Sequence, residues 1–225
     1  MKTCGIIGGM SWESTAEYYR LINSMINKKL GSLHSGKIII YSVDFEEIAN
    51  LQKKAEWSKS AEILSDAAKN LEKAGADFLL ISTNTMHKVA DEVSKNINIP
   101  LIDIRAVCVE AIKKDKIDKV LLLGTKFTME DDFYVDYLRK NGLEVFIPDE
   151  NERNYIHDVI FNRLCLGEVL EEDKKRFAEI IENSDAQGVI LGCTEIGMLI
   201  SQKDVSKRVY DTTLLHAQKA VELMI

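Results

Sequence analysis

Gly188-Val-Ile-Leu-Gly-Cys-Thr-Glu-Ile196 is an apolar run that stops at a cysteine followed at once by two polar residues. That pattern predicts a buried strand delivering Cys193 to its carboxyl end, where open α/β sheets keep their chemistry. The same grammar occurs earlier, in Asp77-Phe-Leu-Leu-Ile-Ser-Thr-Asn-Thr-Met-His87, and Thr83 falls 110 positions before Cys193. A thiol and a hydroxyl at matching points of two similar halves suggest two groups facing one another across a single pocket.

Outward from these two segments, strand-like runs alternate with amphipathic stretches along the whole chain. The expected strands are Thr3–Ile7, Lys37–Ser42, Asp77–Ser82, Leu101–Asp103, Lys119–Gly124, Leu143–Ile147, Gly188–Leu191 and Arg208–Asp211. Between them lie helical patterns such as Ser58–Lys73, with Ala61, Leu64, Ala68 and Leu71 spaced by three and four. Such alternation means parallel sheets covered by helices on both faces. Ser14-Thr-Ala-Glu17 and Thr128-Met-Glu-Asp131 read as capping boxes, so helices are expected to start there. The blocks Gly5-Ile-Ile-Gly-Gly-Met-Ser-Trp-Glu-Ser-Thr15 and Val120-Leu-Leu-Leu-Gly-Thr-Lys-Phe-Thr128, offset by about 115 residues, mark a second internal likeness. The expected fold is therefore α/β, in two pseudosymmetric subdomains, each a mainly parallel sheet flanked by helices, with the active site in the cleft between them. The first spans residues 1–104, joined by the final helix at 212–225, and the second spans 105–211.

Composition narrows the functions. The chain has 225 residues, 46% of them apolar, and a net charge of −7. This excludes a dominant basic face, so neither nucleic acid nor an anionic membrane is the expected partner. An anionic small molecule remains available, because a few cations and helix N-termini suffice to hold one. No apolar stretch approaches the ~20 residues that cross a bilayer, and the N-terminus lacks signal-peptide character. A cytoplasmic location with reduced cysteines is the expectation. Cys4, Cys108, Cys165 and Cys193 are scattered, with no metal-ligand spacing, so no metal site is expected.

Cys193 leads the candidates, since a strand-end thiol near the N–H groups of a following helix can have its pKa lowered toward thiolate. The other three cysteines read as small core residues. Asn84 and Thr85 after Thr83, and Thr194 and Glu195 after Cys193, either cap the next helix or gather donors around a carboxylate. The Gly8-Gly9-Met10-Ser11 loop lacks the dinucleotide spacing, so no nucleotide cofactor is expected. Its glycines permit close backbone approach, with Met10 as pocket wall or core. His87 reads more readily as a locally hydrogen-bonded side chain than as a base, and Asp211 and His216 do not rise above structural roles.

In Gly8-Gly-Met-Ser-Trp-Glu-Ser-Thr15, Thr83-Asn-Thr-Met-His87, Leu123-Gly-Thr-Lys-Phe-Thr128 and Leu191-Gly-Cys-Thr-Glu-Ile196 the chain resembles the aspartate/glutamate racemase superfamily over essentially its whole length. The resemblance implies a homodimer that needs no cofactor, pyridoxal phosphate included, and that inverts Cα of an acidic amino acid with two opposed groups. Most members carry two cysteines; here Thr83 stands where the first is expected. Members with a Thr/Cys pair resemble racemases that favour the L-substrate. The resemblance makes Cys193 the base and Thr83 its weaker opposite partner. It places Asn84, Thr85 and Thr194 as donors around the α-carboxylate, with Met10, Gln52 and Glu195 as further substrate-binding positions. Lys53, Lys126 and Arg163 are unassigned cations. Two alternatives stay open: a single-cysteine decarboxylase or isomerase of the same superfamily, and a catalytically degenerate protein that binds acidic amino acids.

Overall fold

The computed structural model describes residues 1–225, which form two compact units: Met1–Ile104 with His216–Ile225, and Arg105–Leu215. In chain order the first carries β1 (Cys4–Gly8), α1 (Trp12–Leu30), β2 (Ile38–Ser42), α2 (Phe45–Lys53), α3 (Trp57–Lys73), β3 (Phe78–Ile81), a 3-10 turn (Thr85–Val89) and α4 (Ala90–Ser94). Then come α5 (Ile104–Lys114), β4 (Lys119–Gly124), α6 (Lys126–Glu130), α7 (Asp132–Lys140), β5 (Glu144–Phe146) and α8 (Glu150–Asn162). A second 3-10 turn (Leu164–Leu166), α9 (Glu171–Asn183), β6 (Gly188–Gly192), α10 (Ile196–Leu199), β7 (Arg208–Asp211) and α11 (Thr212–Met224) complete the chain.

Both sheets are wholly parallel, with orders β2-β1-β3 and β5-β4-β6-β7. The first strand of each half is thus flanked by the next two, and all residues of β1 and β6 are buried. That burial explains their unbroken apolar sequences, because helices cover both faces. In the first unit Ile7, Leu79 and Ile81 pack under α3, through Ala61, Leu64, Ala68 and Leu71 at the predicted spacing. Cys4, Ile6 and Leu80 face the other way, against Ile22 and Ile26 of α1 and Ala217, Ala220 and Val221 of α11. In the second, Leu121, Val189 and Leu191 pack with α8 and α9, while Val120, Leu122 and Ile190 meet Cys108 and Ile112 of α5 and Leu138 of α7. The helix that follows each half's last extended segment therefore belongs to the other unit's core.

Two local expectations are corrected. Leu101–Asp103 is no strand: Leu101 makes a single bridge to Leu79, fixed by Leu79 N–H to Pro100 O and Ile102 N–H to Leu79 O. Pro100 just before it and α5 starting at Ile104 leave no room for a ladder. Both helix starts lie three residues earlier than the capping boxes suggest. Ser11 caps α1 by accepting from Ser14 N–H, and Thr125 caps α6 by accepting from Thr128 N–H. Ser14 and Thr128 are third-position residues: the Ser14 hydroxyl turns to Ser82 O, and the Thr128 hydroxyl lies 3.3 Å from that of the cap, Thr125.

Candidate active site

The first unit's candidates lie where β1 and β3 end together. Gly9 has φ +93°, and a Cβ there would sit 2.2 Å from Val43 O, so only glycine fits. Its N–H donates to Thr15 Oγ1 at 2.8 Å, and that hydroxyl donates to Ser11 O at 2.9 Å. Ser14 Oγ donates to Ser82 O at 2.8 Å, while the fully buried Ser82 Oγ lies 3.1 Å from Thr15 Oγ1 and 3.2 Å from Ile7 O. The β1–α1 turn is thereby bound to the residue immediately before Thr83.

Thr83 is held from the other side by His87. Ile104 N–H donates to His87 Nε2 at 3.1 Å, so Nδ1 carries the ring proton and donates to Thr83 O at 2.9 Å. The histidine is structural, as its sequence context suggested. Its ring meets that of His216 edge-on at 5.9 Å. His216 bonds Tyr18 Oη through Nδ1 and Ile102 O through Nε2, each at 2.9 Å, and burial pushes its pKa down to about 3. Asn84 and Thr85 are buried at the start of the 3-10 turn. Met10 lies in the core cluster with Ile7, Ile48, Ile81 and Met86, and Gln52 donates its amide to Met86 Sδ at 3.1 Å.

The second unit places Cys193, Thr194 and Glu195 together. Cys193 Sγ–H donates to Glu195 Oε2 at 2.9 Å, and Thr194 Oγ1–H donates to the same oxygen at 2.5 Å. Here the expected electrostatics are reversed. Burial, then the charge of Glu195, push the Cys193 thiol well above its ordinary value, so it rests protonated. The following helix, α10, has only four residues, and its N-terminal N–H groups do not offset a buried carboxylate in contact with the sulfur. Cys4 is likewise pushed up, to about 12, and Cys108 higher still, both by burial.

The parallel ladders give the two strand ends one geometry. β1 and β3 pair Ile7 with Ile81, and Ser82 N–H continues to Ile7 O, which sets Ser82 level with Gly8 and Thr83 one step beyond. β4 and β6 pair Gly124 with Gly192, which sets Cys193 one step beyond. Thr83 and Cys193 thus occupy equivalent register positions in their own units.

Arg163 forms an ion pair with the fully buried Asp173 at 2.6 Å, and Lys53 is exposed at the end of α2. Lys126 offers its backbone N–H to His157 Nδ1 at 3.3 Å. The sequence did not single out Arg105, which is buried at the start of α5, donates to Phe133 O at 2.9 Å and stacks over Tyr137. Its one sequence cue is an arginine opening an apolar helix. No group of three or more His, Cys, Asp or Glu side chains converges as a metal site would require, and no helix is long and apolar enough to cross a membrane.

The family model for Asp/Glu/hydantoin racemases matches residues 7–220. A structure from Yersinia pestis, described as that of a candidate Asp/Glu racemase, is 46% identical with a TM-score of 0.92 over 100% of this chain and 99% of that one. An aspartate racemase homologue from Pyrococcus horikoshii is 39% identical with a TM-score of 0.89 over the same shares. A broad-specificity amino-acid racemase of Bacillus subtilis is 24% identical over 222 residues, 96% of each chain. The chain belongs to the Asp/Glu/hydantoin racemase family. It is an isomerase of the amino-acid racemase class, built on the two parallel-sheet subdomains of that fold.

Proposed function

We propose that this racemase inverts Cα of an acidic amino acid, aspartate or glutamate, without a cofactor, using Cys193 and Thr83 as the two opposed groups. The register equivalence of Thr83 and Cys193 carries this reading. Cys193, as thiolate, takes the α-proton from one face, and the electron pair left on Cα spreads into the α-carboxylate. Thr83 returns a proton to the other face from its hydroxyl, directly or through water. Asn84 and Thr85, together with the main-chain N–H of Thr194, whose hydroxyl proton is committed to Glu195, supply hydrogen bonds to the developing enolate, where preorganised donors act most strongly. Gln52 contributes to side-chain recognition. Relatives named for aspartate and for glutamate support an acidic substrate. A homodimer in a reducing cytoplasm belongs to the same reading, and sedimentation equilibrium tests the dimer.

The Thr/Cys pair makes the two faces unequal, and thermodynamics fixes how that inequality appears. Enantiomers have equal free energy in water, so kcat/KM for the L- and D-substrates must match. A preference for the L-enantiomer therefore shows as separate changes in kcat and KM, and as proton exchange that outruns inversion. An enzyme whose thiolate abstracts readily but whose hydroxyl delivers slowly returns the carbanion to the thiol side. Incubation with L-aspartate and L-glutamate in D₂O tests this by proton NMR and chiral chromatography. Deuterium at Cα, with L-substrate labelled faster than D-product forms, is the expected result. No exchange into any acidic amino acid, with decarboxylation of a substituted malonate instead, would replace racemisation by the superfamily's one-sided protonation chemistry.

A further inference from the structure

An acidic amino acid brings a second carboxylate, and the residues beside Cys193 offer it no positive charge. Glu195 is itself an acid, and its Oε2 already collects the thiol and the Thr194 hydroxyl. Holding another carboxylate at the same sheet end calls for a cation. Most candidates in the second unit are already committed. Arg163 is paired with Asp173 at 2.6 Å, Lys174 with Asp204 at 2.7 Å, and Arg208 with Asp115 at 2.8 Å. Lys126 differs. It is half-buried and forms no ion pair, and the nearest acid on its own helix, Glu130, is held by Arg153 at 2.8 Å.

The ladder puts Lys126 at the reactive strand end. β4 lies beside β6, and the pairing of Gly124 with Gly192 sets Thr125, still extended, level with Cys193. Lys126 follows as the first residue of α6. Its main chain is pinned, because its N–H donates to His157 Nδ1 at 3.3 Å and the His157 ring packs on Phe161 at 4.7 Å. Burial, and then the Lys126 charge, lower the His157 pKa, so the imidazole accepts that bond as a neutral ring and adds no rival cation. In the first unit the corresponding place, two residues beyond Gly8, holds Met10, buried in the core. The second strand end thus carries an ammonium beside its thiol where the first carries a thioether.

Resting on the racemase reading, we infer that Lys126 is the specificity-determining cation that pairs with the side-chain carboxylate of the substrate. A lysine suits this task in a particular way. Its ammonium is a point charge on a flexible stem, so it follows a carboxylate that moves by one methylene, whereas a planar guanidinium fixes one bidentate geometry. Aspartate and glutamate are therefore both accepted, and their amides are rejected.

L-Aspartate and L-asparagine isolate the charge, because only the distal group differs. Isothermal titration calorimetry of the full-length wild-type protein should show L-aspartate binding tighter by roughly 10–100-fold, the span of a hydrogen bond to a charged group. Lys126→Met keeps the apolar stem and should bring that ratio close to one, weakening aspartate while leaving asparagine unchanged. Lys126→Arg should keep most of the discrimination. In the D₂O exchange assay, Lys126→Met should raise KM for L-aspartate by a similar factor with a smaller change in kcat, since the pair is made in ground and transition states alike. A ratio unmoved in Lys126→Met overturns the inference. So does an equal loss for both ligands with a lowered Tm, which would make Lys126 a scaffold residue of the β4–α6 turn. Wild-type protein that binds neither ligand and exchanges no α-proton would refute the acidic-substrate reading itself, and this inference with it. Aspartate binding and exchange with an unmoved ratio refute the role of Lys126 alone.

Discussion

The turns that follow β3 and β6 end equivalent strands, yet they are fixed by different means. After β3 the protein anchors main chain: His87 holds Thr83 O, and Ser14 and Ser82 tie the preceding peptide to the β1–α1 turn. After β6 it anchors the reactive atom, with Cys193 Sγ and Thr194 Oγ1 both bonded to Glu195. The residue before each reactive position differs accordingly. Ser82 carries a buried hydroxyl network, whereas at Gly192 a Cβ would meet Leu123 O at 2.9 Å and Thr128 Cγ2 at 3.1 Å. Internal duplication thus keeps the ladder register while leaving the chemistry at its end free to diverge.

The sharpest way to break this comparison is to remove the thiol. Cys193→Ala should lower α-proton exchange by at least 10³-fold if the sulfur is the efficient base, measured by NMR in D₂O with the fold checked by circular dichroism. Exchange surviving at wild-type rate would transfer the role elsewhere. Next in size is making the halves alike. Thr83→Cys places a second thiol at the equivalent register position, without the Glu195 partner that Cys193 has. It should raise inversion relative to exchange by roughly 10-fold, because a thiol donates and accepts protons near neutrality more readily than a hydroxyl. An unchanged ratio would show that delivery from Thr83 does not limit inversion.

Much of this arrangement was legible in the sequence, and the failures share a cause. Strand ends at Thr83 and Cys193 follow from where apolar runs stop, and the parallel sheets follow from the alternation of such runs with amphipathic helices. Leu101–Asp103 misled because its alternation looks like a strand, while Pro100 and the start of α5 restrict it to one bridge. The caps shifted by three because Ser11-x-x-Ser14 and Thr125-x-x-Thr128 carry hydroxyls at both ends. Only geometry reveals which hydroxyl accepts and which N–H donates. The Cys193 pKa failed in sign because a strand-end thiol suggests helix N–H groups, whereas the nearest charge is a carboxylate two residues on. Glu195 was visible as a polar neighbour, but which atom its oxygens receive depends on side-chain rotamers that spacing does not encode.

A smaller effect probes the scaffold beneath the two turns. Gly192→Ala forces a methyl against the Leu123 carbonyl and the Thr128 side chain, so it should destabilise by about 1–3 kcal/mol. Ser82→Ala removes one buried hydroxyl from a network of shared partners and should cost about 1 kcal/mol. Urea denaturation ranks the pair. Equal losses would mean that the tight glycine packing behind Cys193 relaxes as freely as the hydroxyl network behind Thr83.

The mildest perturbation uses acid, and it distinguishes the units by their buried histidines. In the first unit His216 is fully buried and neutral, its folded pKa near 3 against an ordinary 6.5, with His87 contributing to the depression. An unfolded chain gains that proton from about pH 6.5 downward, while the folded one does not until about pH 3. The stabilising contribution is therefore complete above pH 6.5 and is lost progressively as pH falls toward 3. At pH 6 the loss is only about 0.8 kcal/mol, growing by about 1.4 kcal/mol per further unit. The second unit's His157 is also shifted down, by burial and by Lys126, but it is only half-buried and its shift is smaller. Hydrogen exchange followed by mass spectrometry between pH 6.5 and 4.5, corrected for intrinsic rates, should thus show protection fading first in peptides around Tyr18, Ile102 and His216. Earlier loss around β6 would place the acid-sensitive element beside Cys193 instead. His216→Gln should flatten the pH dependence of the first unit by removing the titrating ring, whatever it costs in stability at neutral pH.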